Sequence, residues 1–133
     1  MAYFYLVRTF GDVPIVHSTL SMLESGDYNS VKKVRKADVY EYIVMTLEKA
    51  IEYLPESCET GRLDKYCAKA LMAKVYLTKA GLSGQLDPND LQKAFDYALD
   101  VKNNSGRQLA ANYADCFKLT GNNSRENMIA WRW

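Results

Sequence analysis

Few side chains of the kinds that catalyse reactions or bind metals occur in this sequence, and none lies in a recognisable pattern. The only histidine, His17, stands alone, whereas metal sites usually take several His, Cys or carboxylate ligands at characteristic spacing. The three cysteines, Cys58, Cys67 and Cys116, are too irregularly spaced for a zinc site or a disulfide framework. No motif supports a catalytic Cys–His pair. We therefore predict no catalytic residue, no metal site and no cofactor.

Phosphate and nucleic-acid chemistry is equally poorly represented. The segment 81–84 contains two glycines but lacks the Lys-Ser/Thr pair of a phosphate-binding loop. Seventeen basic and sixteen acidic residues give a formal net charge of +1, which argues against a general nucleic-acid binder. The basic cluster at 32–36 is interpreted as a solvated surface, with an anion-binding role as the alternative.

Aromatic side chains outside the predicted helices are the remaining candidates for ligand binding. A flat ring can stack on the apolar face of a sugar, and Tyr28, Trp131 and Trp133 are the candidate glycan-binding residues on this argument. Since large aromatic residues dominate protein cores, a buried structural role is the alternative for both tryptophans.

The spacing of apolar residues predicts an all-α protein. Four helices are predicted, over residues of about 1–10, 38–54, 64–80 and 88–103. Asp38 and Asp87 are the expected N-caps of the second and fourth helices, and Gly11 is expected to end the first. The polar residues 11–37 are predicted to form a long loop, and the C-terminal end is predicted to be irregular.

The order of these helices predicts two hairpins of the tetratricopeptide type, in which stacked helix pairs share a core. The helix at 64–80 has two apolar stripes, so we expect it to pack on two sides. The inner face of the last helix is expected to contain Leu91, Ala94, Phe95 and Ala98. Two repeats are fewer than the roughly three that a stable stack needs. This shortage, the lack of an N-cap before the first helix and the end on Trp133 suggest a piece of a longer chain.

Four blocks of sequence, in this order, resemble the SusD/RagB family of outer-membrane nutrient-binding lipoproteins. The first block is residues 2–16, AYFYLVRTFGDVPIV. The second comprises VYEYIV at 39–44, LEKAI at 47–51 and LP at 54–55. The third is GR at 61–62 with AKALMAKVYL at 68–77, and the fourth is NYADCFK at 112–118 with NSRE at 123–126. Together the blocks span nearly the whole chain.

The resemblance implies an α-helical protein that is lipid-anchored on the outer membrane and exposed at the cell surface. Family members capture oligosaccharides, or peptides in some cases, and deliver them to a SusC-like TonB-dependent transporter, without catalysing a reaction. The resemblance implies that residues 1–133 form a single helical-repeat fragment, mainly scaffold and transporter-facing. It places the lipid anchor and most ligand contacts outside this chain, and it implies no nucleic-acid partner.

The alternative interpretation is a free-standing tetratricopeptide-like module that mediates protein–protein interaction. The predicted helix pairs are consistent with either function, because both use the same stacked hairpins.

Overall fold

The computed structural model describes residues 1–26, 31–59, 61–119, 121, 124 and 126–129. Over these residues the protein is all-helical, which confirms the predicted fold class. The α-helices are α1 (Ala2–Phe10), α2 (Thr19–Ser25), α3 (Lys36–Tyr53), α4 (Lys65–Lys79) and α5 (Pro88–Asn104), and a 3₁₀ helix covers Tyr113–Phe117. None of the helices in the described ranges is long and apolar enough to cross a membrane.

The chain divides into two compact units, Met1–Met45 and Thr46–Trp133. In the first unit, α1 packs against the beginning of α3. The Phe4 ring meets the Tyr40 ring edge-on, with 6.3 Å between their centroids, and Tyr3 and Tyr42 make a similar contact at 5.4 Å. The Tyr3 hydroxyl accepts a hydrogen bond from the Val16 N–H at 2.8 Å and donates one to the Val16 carbonyl at 3.1 Å. These bonds hold the segment after α1 against the first turn of α1.

The segment predicted as a long loop, 11–37, contains structure that the sequence analysis missed. Helix α2 begins after Ser18, whose hydroxyl accepts a hydrogen bond from the Ser21 N–H, and it ends at Gly26, which has a φ of 67°. Val13 and Val34 form an isolated antiparallel bridge. Helix α2 has only seven residues and none of them is buried. Its two exposed leucines, Leu20 and Leu23, span a single turn, which is too short for apolar periodicity to reveal a helix in the sequence.

The start of α3 also differs from the prediction. The helix begins at Lys36, so Asp38 lies in its first turn and not at the N-cap. The Lys36 N–H donates to the Asp12 carboxylate at 2.8 Å, while Asp38 pairs with Arg35 at 3.0 Å. A residue 24 positions away therefore satisfies an orphan N–H at this helix end, and local sequence rules cannot reveal such a partner.

In the second unit, α4 and α5 pack as an antiparallel hairpin. Asp64 caps α4 by accepting a hydrogen bond from the Cys67 N–H, and Asp87 caps α5 by accepting one from the Asn89 N–H. The predicted Asp87-Pro88 start of α5 is thus confirmed. Met72 and Val75 are fully buried in the core of this unit. The C-terminal region is less irregular than predicted, because Asn112 caps the 3₁₀ helix through its side chain.

Candidate functional site

The three residues predicted to contact a glycan, Tyr28, Trp131 and Trp133, lie outside the described residues. Their proposed role stays a prediction. His17 is exposed in the segment between α1 and α2, where its ring meets the Tyr42 ring edge-on, with 5.3 Å between centroids. Within the described parts of the chain, no group of three or more His, Cys, Asp or Glu side chains is arranged to hold a metal ion.

An open apolar groove lies along the α4–α5 hairpin and has a volume of about 510 Å³. Eight of its nine lining residues are apolar, and small alanines are frequent among them: Ala70, Ala73, Lys74, Leu77, Leu91, Ala94, Phe95, Ala98 and Val101. Its walls are formed by one apolar stripe of α4, which contains Ala70, Ala73 and Leu77, and by the predicted inner face of α5. We refer to this surface as the apolar groove.

The apolar groove corrects the expectation that these two stripes are buried. Ala94 is buried as predicted, but Phe95 is 58% exposed and Leu77 is 61% exposed. The stripe of α4 that does form the core contains Ala68, Met72 and Val75. The sequence therefore located two apolar faces correctly, but only the structure shows which one is covered. The alanines on the uncovered face allow close approach of another element.

Ion pairs fix the relative position of α4 and α5 and so shape the groove. Lys79 near the end of α4 pairs with Asp90 near the start of α5, with 2.7 Å between nitrogen and oxygen, and the Asp90 side chain is only 7% exposed. At the other end of the hairpin, Lys69 pairs with Asp100. These two cross-helix pairs give the hairpin a defined register, because each joins one turn of α4 to one turn of α5.

A third pair connects the segment after α5 to the start of α4. The Arg107 guanidinium donates to the Asp64 carboxylate at 2.7 Å and to the Cys67 sulfur at 3.4 Å. Burial opposes ionisation of Asp64, but the hydrogen bonds from Arg107 and from the Cys67 N–H outweigh it, so the pKa of Asp64 lies below its ordinary value. Asp64 therefore stays charged near neutral pH and holds Arg107 at the helix start.

Two of the three thiols, Cys67 and Cys116, do not have the environment of reactive nucleophiles. Burial raises the pKa of Cys67, and its sulfur donates a hydrogen bond to the Met128 carbonyl. The hydrogen bond to Glu126, followed by burial, raises the pKa of Cys116. Since the thiolate is the reactive form, both thiols are protected by remaining protonated. All three cysteines are free.

Comparisons with known proteins give a consistent picture. A SusD-like family model, described as starch-binding and associating with the outer membrane, matches residues 1–77. A SusD-like protein of Bacteroides ovatus is 37% identical over 135 residues, covering 99% of this chain and 24% of that protein. A SusD-like protein of Formosa agariphila is 35% identical over 106 residues, covering 79% of this chain and 19% of that protein. The chain thus spans about a quarter or less of the length of these curated relatives.

The fold is also similar to that of a solved protein with a bound sugar. A crystal structure with xylogluco-oligosaccharide matches 99% of this chain and 27% of its own chain, with 36% identity and a TM-score of 0.90. The sequence similarity and the backbone similarity therefore cover the same residues of this chain.

Proposed function

The chain belongs to the SusD-like family of glycan-binding proteins, and on this premise we propose that it is one part of a cell-surface lipoprotein for nutrient uptake. The whole protein captures oligosaccharides at the outer membrane and delivers them to a SusC-like TonB-dependent transporter. It binds its ligand without converting it. Its lipid anchor belongs to a part of the protein outside residues 1–133, which we propose to form a single helical-repeat fragment.

One observation carries the proposal of an oligosaccharide ligand. The solved structure that matches 99% of this chain with a TM-score of 0.90 was determined with a xylogluco-oligosaccharide. At 36% identity over this coverage, related ligands are the first to test. The match covers 27% of that chain, so the ligand contacts of the relative need not lie in the matched part.

For residues 1–133 we propose a mainly structural role, as a scaffold that faces the transporter. The apolar groove supports this role, because an apolar surface lined by small side chains is suited to packing against protein. The cross-helix pairs Lys79–Asp90 and Lys69–Asp100 support it as well, since they hold the hairpin in one register.

The apolar groove also favours the second candidate function, a module that mediates protein–protein interaction. A groove between two helices with a volume of about 510 Å³ is large enough to receive apolar side chains of a partner helix. The two candidates differ in whether carbohydrate is bound by the protein that contains this chain.

Affinity electrophoresis tests the proposed function. The longest reading frame that contains these residues is expressed and run in native gels with xyloglucan, with starch or without polysaccharide, beside serum albumin as a control. We expect one polysaccharide to retard the protein while leaving albumin unaffected. Equal migration in every gel contradicts the glycan-binding proposal. Chromatography of a xylogluco-oligosaccharide after prolonged incubation is expected to return it unchanged, and shorter products contradict a purely binding role.

A further inference from the structure

A second, polar pocket lies on the other side of α5 from the apolar groove. It has a volume of about 340 Å³ and is lined by Lys93, Asp96, Tyr97 and Asp100. These residues follow one another at helical spacing on a single face of α5. At 3.6 residues per turn, this face is roughly opposite to that of Leu91, Phe95 and Ala98 in the apolar groove. We refer to the four residues as the polar pocket.

Helix α4 fixes the aromatic member of the polar pocket. The Tyr97 ring stacks on the Tyr76 ring of α4, with 6.0 Å between centroids and an interplanar angle of 10°. The Lys93 ammonium lies 5.2 Å from the centroid of the Tyr76 ring. Burial raises the pKa values of both tyrosines, so their hydroxyls remain neutral at physiological pH and can donate and accept hydrogen bonds.

The two carboxylates of the polar pocket are also held in place. Asp100 accepts hydrogen bonds from Lys69 of α4 and from Asn104. Asp96 accepts one hydrogen bond through Oδ1, from the Gln92 amide at 2.8 Å. None of the described residues donates a hydrogen bond to its Oδ2. A carboxylate can accept about four hydrogen bonds, so both Asp96 and Asp100 retain acceptor capacity toward a ligand.

The charges in and around the polar pocket select the class of ligand. The carboxylates of Asp96 and Asp100 lie beside the ammonium groups of Lys93 and Lys69, and the Glu48 carboxylate is near enough to act on the two stacked tyrosines. A phosphate would meet two carboxylates, and an amine would meet two ammonium groups. A neutral polyol meets both signs favourably, because each hydroxyl donates to a carboxylate and accepts from an ammonium group. An aromatic ring at such a site can also pack against the apolar C–H face of a sugar.

We propose that the polar pocket is a binding site for a neutral sugar unit of an oligosaccharide. Its volume lies near the lower end of the roughly 300–1,000 Å³ range of small-molecule pockets, which suits one or two sugar rings. The inference rests on the proposed function for the choice of an oligosaccharide. It goes beyond that function by assigning a sugar contact to a segment otherwise proposed to be scaffold.

A TROSY NMR titration of the ²H,¹⁵N-labelled protein expressed from the longest reading frame that contains these residues tests the proposal. The probes are a xylogluco-oligosaccharide and maltoheptaose, added separately to saturation, with inorganic phosphate as a charged comparison. We expect at least one oligosaccharide to shift the backbone amide signals of Lys93, Asp96, Tyr97 and Asp100 along one saturable curve. Absence of such shifts with both oligosaccharides overturns the proposal, as does a stronger response of the same amides to phosphate.

Two matched variants separate a specific contact from a general loss of charge. Asp96→Ala removes an exposed acceptor of the polar pocket, and Glu52→Ala removes an exposed carboxylate on α3 that pairs with Lys49. A hydrogen bond to a charged group commonly accounts for about a tenfold difference in affinity. We therefore expect Asp96→Ala to weaken binding about tenfold and Glu52→Ala to change it less than about twofold. Equal affinities of the two variants overturn the proposal, with circular dichroism confirming that both are folded.

The polysaccharide gels and the NMR titration together distinguish the two proposals. If polysaccharide gels retard the unsubstituted protein and the NMR titration shows no binding at the polar pocket, the inference is wrong and the proposed function stands. If neither experiment detects carbohydrate binding, both are wrong.

Discussion

Removal of the Arg107 side-chain charge is expected to destabilise the second unit by leaving a buried carboxylate without its main partner. The Asp64 side chain is only 9% exposed and pairs with Arg107 at 2.7 Å. Breaking a buried ion pair by removing one partner costs about 3–5 kcal/mol. The Arg107 side chain is 20% exposed and Asp64 keeps the hydrogen bond from the Cys67 N–H, so for Arg107→Met we expect a smaller loss, about 2 kcal/mol in the free energy of unfolding.

Urea unfolding followed by circular dichroism measures this loss. With a slope of about 1–3 kcal/mol per molar urea for small proteins, a loss of about 2 kcal/mol lowers the midpoint by about 1 M. The double variant Asp64→Asn/Arg107→Met is the control, because asparagine keeps an acceptor for the Cys67 N–H but carries no charge. We expect this variant to regain about half of the loss or more.

The pH dependence gives a second test of the same pair. The folded-state pKa of Asp64 is lowered, so its contribution to stability is present above the unfolded-state pKa of about 3.9 and is lost as pH falls through the folded-state value. Without Arg107, only the hydrogen bonds from Cys67 oppose the effect of burial, so the pKa of Asp64 is expected to be higher than in the native chain. The stability difference between the native chain and Arg107→Met is therefore expected to be largest near pH 7 and to shrink below about pH 4. A variant within about 0.5 kcal/mol of the native chain at pH 7, the range of an ordinary surface substitution, would refute the reasoning.

Three further substitutions and one chemical modification test the fold. Met72→Ala leaves a cavity at a fully buried position and is expected to lower the free energy of unfolding in urea by about 2–5 kcal/mol. Phe95→Ser, in the apolar groove, is expected to lower it by less than about 1 kcal/mol and to reduce binding of an apolar dye. Similar losses for the two variants contradict an open groove. Asp87→Ala removes the cap of α5 and is expected to cost about 1 kcal/mol, and an unchanged midpoint contradicts the cap. The Cys67 thiol is buried and its pKa is raised, so iodoacetamide at pH 8 should label it only after urea is added, as peptide mass spectrometry can show. Rapid labelling of Cys67 itself in the native chain contradicts its burial.

The helices were largely predictable because the signals that define them are local. Asp87 followed by Pro88 marks the start of α5, and Gly11, with a φ of 71°, marks the end of α1. The buried face of α3 includes Val39, Tyr40 and Ile43, three apolar residues at helical spacing. Helix α2 was missed because its seven residues are too few for apolar spacing to reveal a helix. The candidate glycan residues Tyr28, Trp131 and Trp133 remain predictions, since they lie outside the described residues.

The sequence by itself determined the helical class and most helix ends, because caps, turn glycines and apolar periodicity act over a few residues. It also determined the family, because the family's sequence blocks occur in this chain in the expected order. Only the tertiary structure decided that the Asp12 carboxylate bonds the first N–H of α3 and that Phe95 lines an open groove. The polar pocket also depends on tertiary structure, since Tyr97 is fixed by Tyr76 from another helix. The physical reason is that a contact between distant residues depends on the path of the whole chain, whereas a cap or a turn depends on its immediate neighbours.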